Sequence, residues 1–185
     1  MNSKVSLIPI DRHGAPRGYA GSLPELTGEI FRSTAELYRT VGFDEPWIGY
    51  LAVSEETPVG TCGFKSPPQD KRVEIAYFTF PAFEGRGFAS AMAAGLVAIA
   101  RQHRPSVVVA AQTLPERNAS HRVLEKLGFR HVETIEHPED GTVWEWQLSE
   151  EMGAIDVHGK QQVIRMIAVV GAVADPPKTV HKIGL

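Results

Sequence analysis

Over residues 72–80 the chain alternates with period two. Val73, Ile75, Tyr77 and Thr79 fall on one side, and Glu74, Ala76, Phe78 and Phe80 on the other. That spacing predicts a strand. Pro81, which has no N–H, ends its ladder. The period then changes: Phe88, Met92, Leu96 and Ile99 recur three or four apart, predicting a helix that opens after Gly85-Arg86-Gly87. Upstream, residues 48–54 and 58–65 read as strands joined by a hairpin at Glu55-Glu56-Thr57, and residues 4–10 as a further strand. Residues 24–41 place Leu26, Ile30, Leu37 and Val41 on one helical face, with Gly42 set to close the helix. Downstream, the apolar run Val107–Ala111 predicts a buried central strand, parallel to the one at 72–80 across the intervening helix. Asn118, a strong capping type, or Glu116 opens a short helix whose inward side is Val123, Leu124 and Leu127, with Gly128 at its end. A hairpin of residues 131–136 and 142–148 closes the pattern.

Composition narrows the field. The 185 residues are 43% hydrophobic and 22% charged with net charge −3, which predicts a folded chain and gives no basic block for nucleic acid. The single cysteine, Cys62, excludes an intramolecular disulfide and reads as a small buried hydrophobe. No run has the length to span a bilayer and no leader-like segment opens the chain, so a cytoplasmic setting without a membrane partner is the default expectation. No histidine–carboxylate cluster has metal-ligand spacing, and His121 is expected at the surface.

The turn between strand and helix carries the chemistry. A helix leaves its first N–H groups unpaired, and glycines at 85 and 87 let the backbone come close to a ligand. Gly85, Arg86, Gly87, Phe88 and Ala89 therefore form a candidate nest for a phosphate or pyrophosphate. The Gly-Lys-Ser/Thr of a Walker loop and the GxGxxG fingerprint are both absent.

This segment resembles the acyl-CoA-binding motif of the GCN5-related N-acetyltransferases (GNAT), Arg/Gln-x-x-Gly-x-Gly/Ala, with Gly87 and Ala89 in register and Glu84 where the family has Arg or Gln. Asn118-x-Ser120 followed by Leu124-Glu-Lys-Leu-Gly128-Phe129 is similar to the family's second helix and its Gly-Phe ending. The form Gly85-Arg86-Gly87-Phe88-Ala89 is most like the ribosomal-protein-alanine acetyltransferase (RimJ/RimL-type) branch.

The resemblance implies a mixed α/β (α+β) fold, a strongly twisted sheet with helices on both faces, occupying residues 1–149. Residues 150–185 are then an extension compatible with a dimer arm, a cover over the sheet or a loose end. It implies a transferase that moves the acetyl group of acetyl-CoA, without a metal, to a primary amine on a small molecule or a peptide N-terminus. It further implies that Phe78, Thr79 and Phe80 present a strand edge to the pantetheine arm. The nest 85–89 would take the pyrophosphate, and Asn118 would meet the pantetheine. Glu74 is the candidate base, a solvent-facing glutamate being the other reading. Ser120 is the candidate donor to the leaving thiolate, because Leu124 stands where many relatives have tyrosine; capping or bonding within the first helical turn is its other reading. A non-catalytic acyl-CoA-binding regulator is the alternative.

Overall fold

The computed structural model describes residues 4–137 and 141–148. Seven strands form one sheet: β1 (Ser6–Pro9), β2 (Gly49–Ser54), β3 (Thr57–Phe64), β4 (Arg72–Thr79), β5 (Val108–Thr113), β6 (Phe129–His137) and β7 (Gly141–Leu148), in spatial order β1-β2-β3-β4-β5-β7-β6. Three helices flank it: α1 (Thr27–Val41), α2 (Phe88–His103) and α3 (Ala119–Lys126). Neighbouring strands run antiparallel except β4 and β5, which are parallel across the α2 crossover. This is the mixed, helix-flanked sheet that the sequence implied. The extension 150–185 lies outside the described residues, as does most of the turn between β6 and β7.

Local chemistry explains the boundaries. The β2–β3 hairpin turns on Glu55 and Glu56 with φ of 47° and 66°, so a primed-type turn forms without the usual glycine. Gly42 (φ 91°) ends α1 and donates its N–H to the Tyr38 carbonyl. Asn118 caps α3: its side-chain oxygen accepts the N–H of Ser120 at 2.9 Å and of His121 at 3.4 Å.

On β4 the odd side, Val73 through Thr79, is buried as its pattern predicts. Met92 and Leu96 of α2 belong to the same core and are fully enclosed, each burial contributing about 1.5–3 kcal/mol. On α1 the outcome differs from the sequence reading. The inward stripe is Thr27, Phe31, Ala35 and Tyr38, while Leu26 and Leu37 are 37% exposed. Tyr38 decides the rotation. Its hydroxyl donates to the Ile10 carbonyl at 3.1 Å and accepts the Gly49 N–H at 2.8 Å, anchoring α1 to β2 by a bond that Leu37 cannot make.

Candidate active site

The sheet opens at its centre. β4 and β5 pair only at Arg72–Val108, Val73–Val109 and Glu74–Ala110. Beyond Ala110, β5 continues pairing with β7 to Thr113, while β4 runs on to Thr79 bonded only to β3. The register tells which backbone groups face the gap. The Lys65 N–H reaches the Glu74 carbonyl at 2.9 Å, and the Phe80 N–H reaches the Val59 carbonyl at 2.9 Å, so the even residues turn to β3. The Lys71 carbonyl accepts from Val108 N–H on β5 at 2.8 Å, so the odd residues turn the other way. By alternation, the free edge is that of Tyr77 and Thr79. This corrects the expectation for Phe78 and Phe80. The Phe80 N–H is spent on β3, and its ring, 2% exposed, packs with Ile10, Phe31 and Leu51.

This edge contributes to two cavities, Thr79 to one and Tyr77 to the other. One, of about 290 Å³, is bounded by Thr79, Gly85, Gly87 and Ala89 on one wall and by Arg122 and Lys126 of α3 on the other. Gly85 and Gly87 have φ of 71° and 80°, the left-handed turn that turns the chain into α2. The Thr79 hydroxyl, on a residue 1% exposed, has no hydrogen-bond partner in the protein. Arg86 lies over the Phe83 ring, 5.5 Å from its centroid. The other cavity, of about 220 Å³, lies against α1 and includes Leu37, Phe64, Lys65, Ala76 and Phe78.

An ion-pair network sits where β4 and β5 part. Arg72 donates to both oxygens of the buried Glu145 carboxylate, at 2.6 and 2.8 Å, and to Glu74 Oε2 at 3.2 Å. Gln112 adds an N–H to Glu145 at 3.3 Å. Lys65 Nζ stands 2.7 Å from Glu74 Oε1, an ion pair set off the line of a hydrogen bond, so Oε1 is buried without a directed donor. Burial opposes the charge on Arg72. The hydrogen bonds and charge of Glu145, with Glu74 behind them, outweigh it and hold the guanidinium above its ordinary value.

Known proteins share this plan. The profile of the acetyltransferase (GNAT) domain matches residues 22–130. The chain belongs to the GNAT acetyltransferase family. Among solved structures, a GnaT-family acetyltransferase from Bordetella pertussis is similar at 20% identity, with TM-score 0.55, covering 80% of this chain and 98% of that one. A chimera of spermidine N-acetyltransferase SpeG from Vibrio cholerae with hSSAT gives TM-score 0.57 at 14% identity, covering 81% and 98%. RimL, a ribosomal L7/L12 alpha-N-protein acetyltransferase, gives 0.56 at 14%, covering 79% and 90%. At such identities the likeness is one of fold. No curated protein matches the chain significantly.

GNAT membership implies acetyl-CoA as cosubstrate. Of the residues singled out from sequence, the structure gathers Thr79, Gly85, Gly87, Phe88 and Ala89 around one cavity and puts Phe78 at the other. Glu74 is held between Lys65 and Arg72. Ser120 is buried in the first turn of α3, and the oxygen of the Asn118 side chain is committed to the cap. His121, expected outside, is 2% exposed: it stacks on Trp144, and its Nε2 lies 2.8 Å from the Thr113 hydroxyl. Its Nδ1 accepts the Asn118 N–H, which leaves the proton of the neutral ring on Nε2. Arg122 and Lys126 were missed, because on sequence they are ordinary polar positions of a short helix. Their spacing of four, which puts both on one face, was the available signal. Among the described residues no group of three or more potential ligands could hold a metal, and no helix is long and apolar enough to cross a membrane.

Proposed function

We propose that residues 1–149 form an N-acetyltransferase domain that moves the acetyl group of acetyl-CoA to a primary amine. The observation that carries this reading is the free Tyr77–Thr79 edge, whose two residues each line one of the cavities. Residues on the α2 side fit the coenzyme. Glycine-turn amides and the positive end of a 16-residue helix face Arg122 and Lys126, an arrangement suited to a diphosphate. These two cations supply from α3 the positive charge that Glu84 fails to supply. The orphan Thr79 hydroxyl offers one more polar contact on the same wall. Acetyl-CoA supplies an acetyl group activated as a thioester.

The chain's own part is modest. The gap aligns two reactants, which supplies proximity. Backbone N–H groups of Tyr77 and Thr79 donate to an oxygen gaining negative charge. Glu74 accepts a proton from the amine at Oε1, and the Ser120 hydroxyl donates one to the departing sulfur. Asn118 serves through the α3 cap. The acceptor is a small-molecule amine or a peptide N-terminus. The Gly85–Ala89 and Asn118-x-Ser120 segments favour the RimJ/RimL-type branch.

Two observations favour a second reading, a coenzyme-binding regulator without turnover: Glu74 already faces two cations, and Leu124 at the tyrosine place is wholly buried in the core. Calorimetry with acetyl-CoA and a CoA-release assay over an amine panel separate the two. Transfer requires both signals, whereas heat without release supports the regulator. Glu74→Gln is expected to lower the release rate at unchanged acetyl-CoA affinity, and an unchanged rate removes Glu74 as base.

A further inference from the structure

We propose that the acceptor is a primary monoamine on a compact apolar body, and that Lys65 is the specificity-determining residue that excludes polycations. This deepens the transferase reading and rests on it.

The cavity against α1 is walled by Ile10, Leu37, Phe64, Ala76 and Phe78, and among its described lining residues there is no carboxylate. Two of its four hydroxyl side chains, Tyr38 and Thr34 but not Thr61 and Tyr77, are already committed. Tyr38 spends its hydroxyl on Ile10 and Gly49, and Thr34 donates to the Ile30 carbonyl at 2.8 Å. A hydrogen-bonding tail finds few partners there, whereas an apolar body of the right size gains by leaving water. Leu37 contributes because Tyr38, not Leu37, anchors α1 inward.

Charge sets the count of amines. At the Lys65 end the cations Lys65 and Arg72 balance the carboxylates Glu74 and Glu145. Within this balanced group Glu74 Oε1, buried and ion-paired with Lys65 at 2.7 Å but without a directed hydrogen bond, is the acceptor that an incoming N–H can share. It can take one N–H. A second ammonium on the same ligand would meet Lys65 and no unpaired carboxylate, so it would lose hydration without compensation.

The test uses the purified full chain. Acetyl-CoA binding is first measured by calorimetry; then CoA release is followed with phenylethylamine, with spermidine and with a short peptide that begins with leucine. Phenylethylamine or the leucine peptide is expected to exceed spermidine in kcat/KM by about tenfold or more. Which of the two is better identifies whether the amine comes from a free molecule or a peptide. Lys65→Glu is expected to narrow the ratio by raising spermidine turnover, with acetyl-CoA affinity unchanged. Lys65→Met gives the same direction should the glutamate variant fail to fold. Spermidine as the equal or better acceptor overturns the proposal, as does a ratio untouched by both variants. Coenzyme binding with no turnover of any of the three overturns the acceptor class; release with another amine of the wider panel then keeps the transferase reading, and no release at all supports the regulator. Absence of coenzyme binding overturns the transferase reading itself.

Discussion

Replacing Arg72 with methionine tests the network that holds β4, β5 and β7 together. The guanidinium gives Glu145 three hydrogen bonds, at 2.6, 2.8 and 2.9 Å, and the Glu145 side chain is only 4% exposed. Without Arg72 that carboxylate keeps one amide donor, Gln112, at 3.3 Å. Removing one partner of a buried ion pair costs about 3–5 kcal/mol, because the remaining charge stays out of water. Arg72 is 36% exposed in its side chain, so solvent reaches the pair and the lower end, about 3 kcal/mol, applies. Urea unfolding followed by fluorescence suits the measurement, since Trp144 and Trp146 flank Glu145 on β7. The midpoint is expected to fall by roughly 1–3 M at constant slope. Adding Glu145→Leu to Arg72→Met is expected to restore most of the loss, because an apolar pair of similar volume carries no stranded charge. A single variant as stable as the parent, or a double variant no better than the single, refutes the account.

Other expectations follow from the same geometry. Asn118→Ala removes the α3 cap and should lower stability by about 1 kcal/mol in thermal unfolding, with Asn118→Asp close to the parent. Gly87→Val forces a β-branched residue to φ 80°, and should lower stability by about 1–2 kcal/mol and weaken acetyl-CoA binding in calorimetry. Burial pushes the Cys62 thiol well above its ordinary value, so a thiol reagent at mildly alkaline pH should leave it unmodified until denaturant is added. The hydrogen bond from Arg17 holds the Glu45 carboxyl below its usual range. Its small stabilisation is therefore present at neutral pH and lost as the pH falls through the folded-state value; Glu45→Gln should be slightly destabilised at pH 7 and equal to the parent in acid.

Local signals made much of this legible in the sequence. Period-two alternation placed β4, Gly85 and Gly87 marked the turn, and Asn118 with Gly128 bounded α3 within a residue or two. Each depends on neighbours a few positions away. What escaped depends on distant partners. Which β4 backbone groups face the gap is fixed by the register with β3, through bonds such as that from Phe80 to Val59. Glu145 alternates in sequence with Trp144 and Trp146, and it is buried because Arg72, seventy-three residues earlier, pairs with it. His121 is enclosed by two tryptophans from β7. Arg122 and Lys126 acquire a role only when α3 settles opposite the start of α2.

The three residue pairs joining β4 to β5 are a seam between two half-sheets. A ligand that bonds along the Tyr77–Thr79 edge supplies rungs that the protein lacks there. Coenzyme then acts as a brace as much as a reactant, and amide exchange on both half-sheets, remote from the ligand itself, should slow when it binds.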